Sequence, residues 1–253
     1  MSELEIPAAV PQSAGLSQWQ RVSNIFTAPS KTFNDIKAGN RSWWLPFILF
    51  VVVGTALCAT VTVKVGWHQV VENGLRVSPK AAEAIEKMPP EQRQMNAKIS
   101  AISQEVVWFL APVGVLLLNL IAAGVLLGTI NFGFGGKANF RQVLAVSWYA
   151  GLPGLLKLLL GLVGLFAGVE AESFLPGNAA GTNLGYFFLP PETPVYLWTL
   201  LTAVDITFLW TLVLFSKGLA KVAGVKDSSG YAAVFGWWIL LTLIQVGIAS
   251  AMS

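Results

Sequence analysis

The run from Phe140 to Gly168, FRQVLAVSWYAGLPGLLKLLLGLVGLFAG, is long enough to cross a bilayer as one helix, yet it carries a lysine near its middle. A span needs about 20 apolar residues. A charge at the bilayer centre costs roughly 3 kcal/mol on insertion scales. Lys157 therefore demands an answering group elsewhere in the fold. The only other charge inside an apolar span is Asp205, in the middle of the next one. The two spans are read as a pair, with the rest of the chain built around them.

Charged residues make up only 11% of the 253-residue chain, against 55% apolar. A soluble domain carries about 25% charged residues, so this chain belongs with polytopic membrane proteins. The net charge is +3 with no dense basic run, which argues against nucleic acid as a partner. One cysteine, Cys58, excludes an internal disulfide and a cysteine metal site, and the one histidine, His68, beside a span, reads as an interfacial polar residue rather than a ligand. No cofactor is expected, and no catalytic set is present. An intramembrane protease needs paired aspartates, Ser/His or metal ligands, and the spans hold one aspartate and no histidine.

Residues 1–16 lack a basic start and an apolar run, so they are not read as a signal peptide. They are expected to be a disordered tail, with the membrane domain occupying residues 17–253. Ser17 and Gln20 have capping-box spacing. Trp19, Val22 and Phe26 then make an apolar stripe, and Pro29 restarts the helix. With Arg21, Lys31, Lys37 and Arg41 interleaved, this reads as a helix pair lying at the membrane surface, anchored by Trp19 and Phe26. The alternative is a cap packed on the loops.

Five spans are expected, at about 43–63, 106–131, 142–168, 194–216 and 231–252. The fold is therefore all-α, with short amphipathic helices added. Trp43 and Trp44 begin the first span as headgroup-level anchors. Residues 64–105 form the longest polar segment, an extramembrane helical loop. In it Ser78-Pro79 opens one helix, Pro89-Pro90 starts another, and Met95, Ile99, Ile102 and Val106 share a face. Gly124-x-x-x-Gly128 and Gly164-x-x-x-Gly168 match a close-packing pattern for helices in lipid. The glycine-rich GFGGKANFR turn has no Gly-Lys-Ser/Thr ending and no preceding strand, so it is not a phosphate loop.

Nine basic residues fall in the N-terminal segment and the second and fourth loops. The first loop has six, offset by five glutamates, and the third has none. The positive-inside rule then puts the N-terminus in the cytoplasm and the C-terminus outside. Counted from that side at ~1.5 Å per residue, Lys157 lies sixteen residues above Arg141 and Asp205 twelve from Lys217. The two depths differ by about one turn, within reach of a lysine stem. Alone, each group is more cheaply neutral; paired, both can stay charged.

Three places resemble the Yip1-domain family. They are Ile25-Phe26-Thr27-Ala28-Pro29 with Phe33, Ile36 and Trp44-Leu45-Pro46; Gly136-Lys137-Ala138-Asn139-Phe140-Arg141-Gln142 with Trp148-Tyr149 and Leu152-Pro153; and Leu209-Trp210 through Lys217-Gly218-Leu219. The resemblance implies five spans, a cytoplasmic N-terminus and no catalytic residues. The brevity of the N-terminal segment resembles bacterial members, which implies an inner (plasma) membrane location. Eukaryotic relatives are associated with Rab GTPases and vesicle traffic, and some bacterial ones with export systems of the MacB type. The expectation is a non-enzymatic scaffold or accessory protein in the lipid bilayer, working with other membrane proteins or as a homo-oligomer. The alternative is a carrier or channel for a small solute, ion or lipid that uses the Lys157–Asp205 pair.

Overall fold

The computed structural model describes residues 15–188 and 192–252. The expected tail therefore falls almost wholly outside the described residues. Two short helices come first, α1 (Gln18–Thr27) and α2 (Pro29–Lys37). Ser17 caps α1 with the full capping box: its hydroxyl accepts from Gln20 N, and the Gln20 side chain accepts from Ser17 N. Then follow α3 (Trp44–Lys64), α4 (Trp67–Arg76), α5 (Pro79–Glu86), α6 (Pro90–Phe109) and α7 (Ala111–Gly128). The end of α7 widens into a π turn over Thr129–Gly133. The remainder is α8 (Phe140–Ala150), α9 (Leu152–Phe166), α10 (Val195–Ala203), α11 (Ile206–Ala223) and α12 (Asp227–Met252), with short 3-10 turns between α9 and α10.

Among the described residues, five helical stretches are long and apolar enough to cross a membrane: 44–64, 111–133, 140–166, 206–223 and 227–251. The number matches the sequence expectation, and the boundaries differ where the backbone has a reason to break. The second stretch starts at Ala111 rather than near 106, because Leu110 ends α6 and Pro112 sits in the first turn of α7. A proline is cheap there, since that N–H has no helical acceptor. Pro153 does the same for α9, so the third stretch bends between Ala150 and Leu152. The fourth departs most. It was expected as one helix over 194–216, but it is broken at Val204-Asp205 into α10 and α11.

α3 and α9 run side by side in the same direction. Phe50 lies beside Gly151 and Gly154, and at the far end Lys64 Nζ donates to Leu165 O at 3.0 Å. α11 runs antiparallel to the α8–α9 pair, with Gly218 against Val146 and Asp205 against Lys157. α12 folds back along α11, where Gly230 meets the carbonyl of Ser216. Gly218 and Gly230 are where backbones approach most closely. A Cβ at Gly218 would stand 2.6 Å from Val146 Cγ1 and 2.8 Å from Phe33 Cε1.

The main core joins α1, α2, α8, the last half of α11 and the end of α7. Trp148, 1% exposed, belongs to it and stacks on Trp43 with centroids 5.7 Å apart. A second core holds Leu57, Val61, Trp67, Val70, Leu165 and Phe174 at the other end of α3 and α9. The two cores mark two ends of the bundle. α1, α2, the 134–139 turn and the end of α11 share one end, tied by Gln142 Nε2 to Lys37 O and Lys137 N to Ala223 O. The 64–105 and 167–188 segments share the other, tied by Asn73 Nδ2 to the carbonyls of Ala171 and Phe174.

Candidate functional site

The break at Asp205 is a built polar site. Residues 182–184 come back between the helices and pair with 204–206: Asn183 bridges Asp205 in antiparallel fashion, Ile206 N donates to Thr182 O at 2.8 Å, and Leu184 N to Val204 O at 3.3 Å. Non-helical backbone at membrane depth survives only where protein or a water-lined cavity answers its polar groups. Here the loop and the broken helix answer each other.

The Asp205 carboxylate is 5% exposed and takes five donors. Oδ1 accepts from Thr207 N at 2.9 Å, Thr207 Oγ1 at 2.6 Å and Phe208 N at 3.2 Å. Those bonds make Asp205 the N-cap of α11, where an anion also meets the positive end of the helix dipole. Oδ2 accepts from Lys157 Nζ at 2.9 Å and Thr182 Oγ1 at 2.7 Å. Lys157 thus reaches Asp205 from mid-α9, while Thr182 brings in the loop. On the α3 frame, Lys157 stands about level with Thr55 or Ala56, near the centre of the 44–64 span, given that Phe50 is level with Leu152 and Lys64 with Leu165.

Sequence reasoning paired Lys157 with Asp205 but missed Thr182 and Thr207. The signal available was Asp205-Ile206-Thr207, an Asx-type cap placed inside an apolar run. Asn183, 3% exposed, was also missed; its Nδ2 donates to Asn178 Oδ1 and its Oδ1 accepts from Tyr186 N.

The other expected residues divide. A Cβ at Gly124 or Gly128 would meet nothing within 4 Å, so among the described residues no helix packs on that motif. Gly164 meets only Val169, and Gly168 has φ +104, a left-handed conformation that ends α9. Neither glycine pair brings two helices together, because the pattern permits close approach without requiring it. Trp43 and Trp44 stack on each other at 4.3 Å, with Trp44 56% exposed. Trp19 is exposed and Phe26 packs edge-on against Trp210.

The α1–α2 pair differs from a helix pair lying free on lipid. Ile25, Phe33 and Ile36 are buried in the main core, so the pair packs on protein. Arg21, read from the sequence as a surface basic residue, is 2% exposed. Its Nη1 donates to Asn40 O and Ser42 O at 3.0 and 2.9 Å, its Nε faces Asp35 Oδ2 at 3.5 Å, and its guanidinium lies over the Tyr149 ring. Among the described residues no group of three or more His, Cys, Asp or Glu could hold a metal ion.

Neither the curated proteins nor the solved structures yield a match to this chain. The family model of the Yip1 domain matches residues 23–249. That match covers nearly every element described above, from α1 to the last turn of α12, and the chain is a multi-pass membrane protein of the Yip1 domain family.

Proposed function

We propose that this protein is a non-enzymatic integral membrane scaffold or accessory protein, acting through partner membrane proteins or through membrane organisation. The observation that carries the reading is the closure of the Asp205 site. Both carboxylate oxygens are taken by the chain's own donors, three on one and two on the other. A carrier site keeps coordination positions for its cargo; this one is filled by Lys157, Thr182 and the start of α11. The reading includes a bacterial inner (plasma) membrane, a cytoplasmic N-terminus and an export system as the class of partner. Its supports are the basic residues gathered at one end and the resemblance set out above.

A second reading, a small-solute or ion carrier, draws on one specific observation. A span broken near mid-membrane, with a half-helix N-terminus aimed at a charged group, is the way many transporters build their binding sites. Purified protein in proteoliposomes separates the two. The scaffold reading expects ion and proton flux no greater than in protein-free vesicles, together with one membrane protein that co-purifies reproducibly after crosslinking in native membranes. Flux that disappears in Lys157→Met overturns it in favour of a carrier.

A further inference from the structure

A groove of about 220 Å³ lies along the seam between α3 and α7. Its lining includes Phe47, Phe50 and Gly54 on α3, Pro112 and Val115 on α7, and Trp148 of α8. Phe47, Phe50 and Gly54 follow at spacings of three and four, so they share one helix face. Gly54 keeps the groove open: a Cβ there would meet nothing within 4 Å. Nearby on the same helices, Ile48, Val52, Val113 and Leu117 are each half-exposed or more. The groove is therefore set in a surface of bare aliphatic side chains.

We propose that this groove is a binding site for one acyl chain of a membrane glycerophospholipid. Depth supports that occupant. Trp43 and Trp44 mark the start of α3, and such tryptophans sit at headgroup level. At ~1.5 Å per residue the lining from Phe47 to Gly54 covers about 5 to 15 Å below Trp44. That depth lies within a hydrocarbon core about 30 Å thick. The chemistry of the wall supports it too. An apolar cavity of about 150 Å³ stays dry and takes up benzene, and this lining has the same apolar character. The lining is apolar apart from the indole nitrogens of Trp108 and Trp148, and that of Trp148 is buried. Size favours it as well, since a partner helix about 10 Å across is too wide to enter a groove of 220 Å³ and would seat only over it. Hydrocarbon of the surrounding bilayer fits all three constraints.

The site is tested by native mass spectrometry. Wild-type protein and Gly54→Leu are reconstituted in nanodiscs of phosphatidylethanolamine and phosphatidylglycerol, released into mild detergent and weighed. Wild type retains a single phospholipid per chain through detergent exchange. Gly54→Leu, whose new side chain grows into the groove, retains none and unfolds at the wild-type temperature. Loss of lipid from both proteins, or equal retention by both, overturns the proposal. A lipid-free dimer of wild type does so as well, because it assigns the face to a second copy. If Gly54→Leu does not fold, Val115→Phe fills the groove from the opposite wall, and the same outcomes decide.

Discussion

Lys157 and Asp205 meet at 2.9 Å from unlike backbones: Lys157 lies inside helix α9, whereas Asp205 is the N-cap of α11 in the gap of a broken span. The contact is therefore asymmetric. Lys157 contributes one charge. Asp205 contributes that charge's partner, a helix cap and the anchor for the Thr182 loop.

This asymmetry predicts an uneven double-mutant cycle. Removing one member of a buried pair costs about 3–5 kcal/mol, because it strands the other charge. Lys157→Met should destabilise the protein by that order in detergent. Asp205→Leu should cost more, since the cap alone adds about 1 kcal/mol and Thr182 loses its acceptor. Pairing Lys157→Met with Asp205→Asn, which keeps a capping oxygen, should recover much of the single Lys157→Met loss. Pairing it with Asp205→Leu should recover less. Chemical unfolding of wild type, the three single variants (Asp205→Asn included) and the two doubles reads both cycles, and strict additivity throughout would mean the two charges do not interact.

The glycines give a prediction with opposite signs. Gly218→Ala drives a methyl into Phe33 and Val146, and overpacking of this kind costs about 1–3 kcal/mol. Gly124→Ala and Gly128→Ala meet open space in mid-helix, where alanine is favoured by about 0.5–1 kcal/mol. Thermal unfolding should fall for the first and hold or rise for the other two. A fall in Gly124→Ala would show that a helix covers that face after all, as in a homo-oligomer.

How much of this was legible depends on the kind of signal. Length and hydropathy revealed the five spans, because each apolar run is bounded by charges or tryptophans. Helix depth predicted the Lys157–Asp205 contact, since a buried charge leaves few partners. The break at Asp205 was not legible from hydropathy, because Val204 and Ile206 on either side are as apolar as any helix interior. Only the Asp205-x-Thr207 cap pattern marked it, and caps are not expected at that depth. Arg21 was misread because sequence periodicity places a residue on a face without saying what covers that face. The stripe of α1 is real; it meets α8 and α11 as well as the outside.

Arg21 should then behave as a core residue. Arg21→Met removes donors to Asn40 O and Ser42 O and leaves Asp35 without its cation. A loss of about 3 kcal/mol is expected, together with faster hydrogen exchange across 17–37. Lys31→Met, on the exposed side of α2, should change neither. Trp19→Ser should leave stability alone but weaken protection of α1 in liposomes relative to detergent, if lipid covers its exposed ring. Equal exchange of Arg21→Met and wild type would show that the guanidinium does not hold the helix pair.

The last prediction concerns which end faces the cytoplasm. The structure gathers α1, α2, the 134–139 turn and the end of α11 at one end, and the 64–105 and 167–188 segments at the other. Sidedness is thus a single choice for the whole molecule, and one basic-rich end decides it. Nine of the chain's sixteen Lys and Arg lie in the segments of the first end, all in short stretches near the span ends. Positive charge close to a span is what orients it. In a Cys58→Ala background, Lys87→Cys and Glu172→Cys should react with an impermeant maleimide in intact cells, and Lys226→Cys only after permeabilisation. Because these positions are tied through one fold, the labels must move together. The reverse pattern inverts the orientation without disturbing the fold. A mixed pattern, with Lys87→Cys and Glu172→Cys on different sides, contradicts the ties from Asn73 to Ala171 and Phe174, and with them the pairing of the two loops.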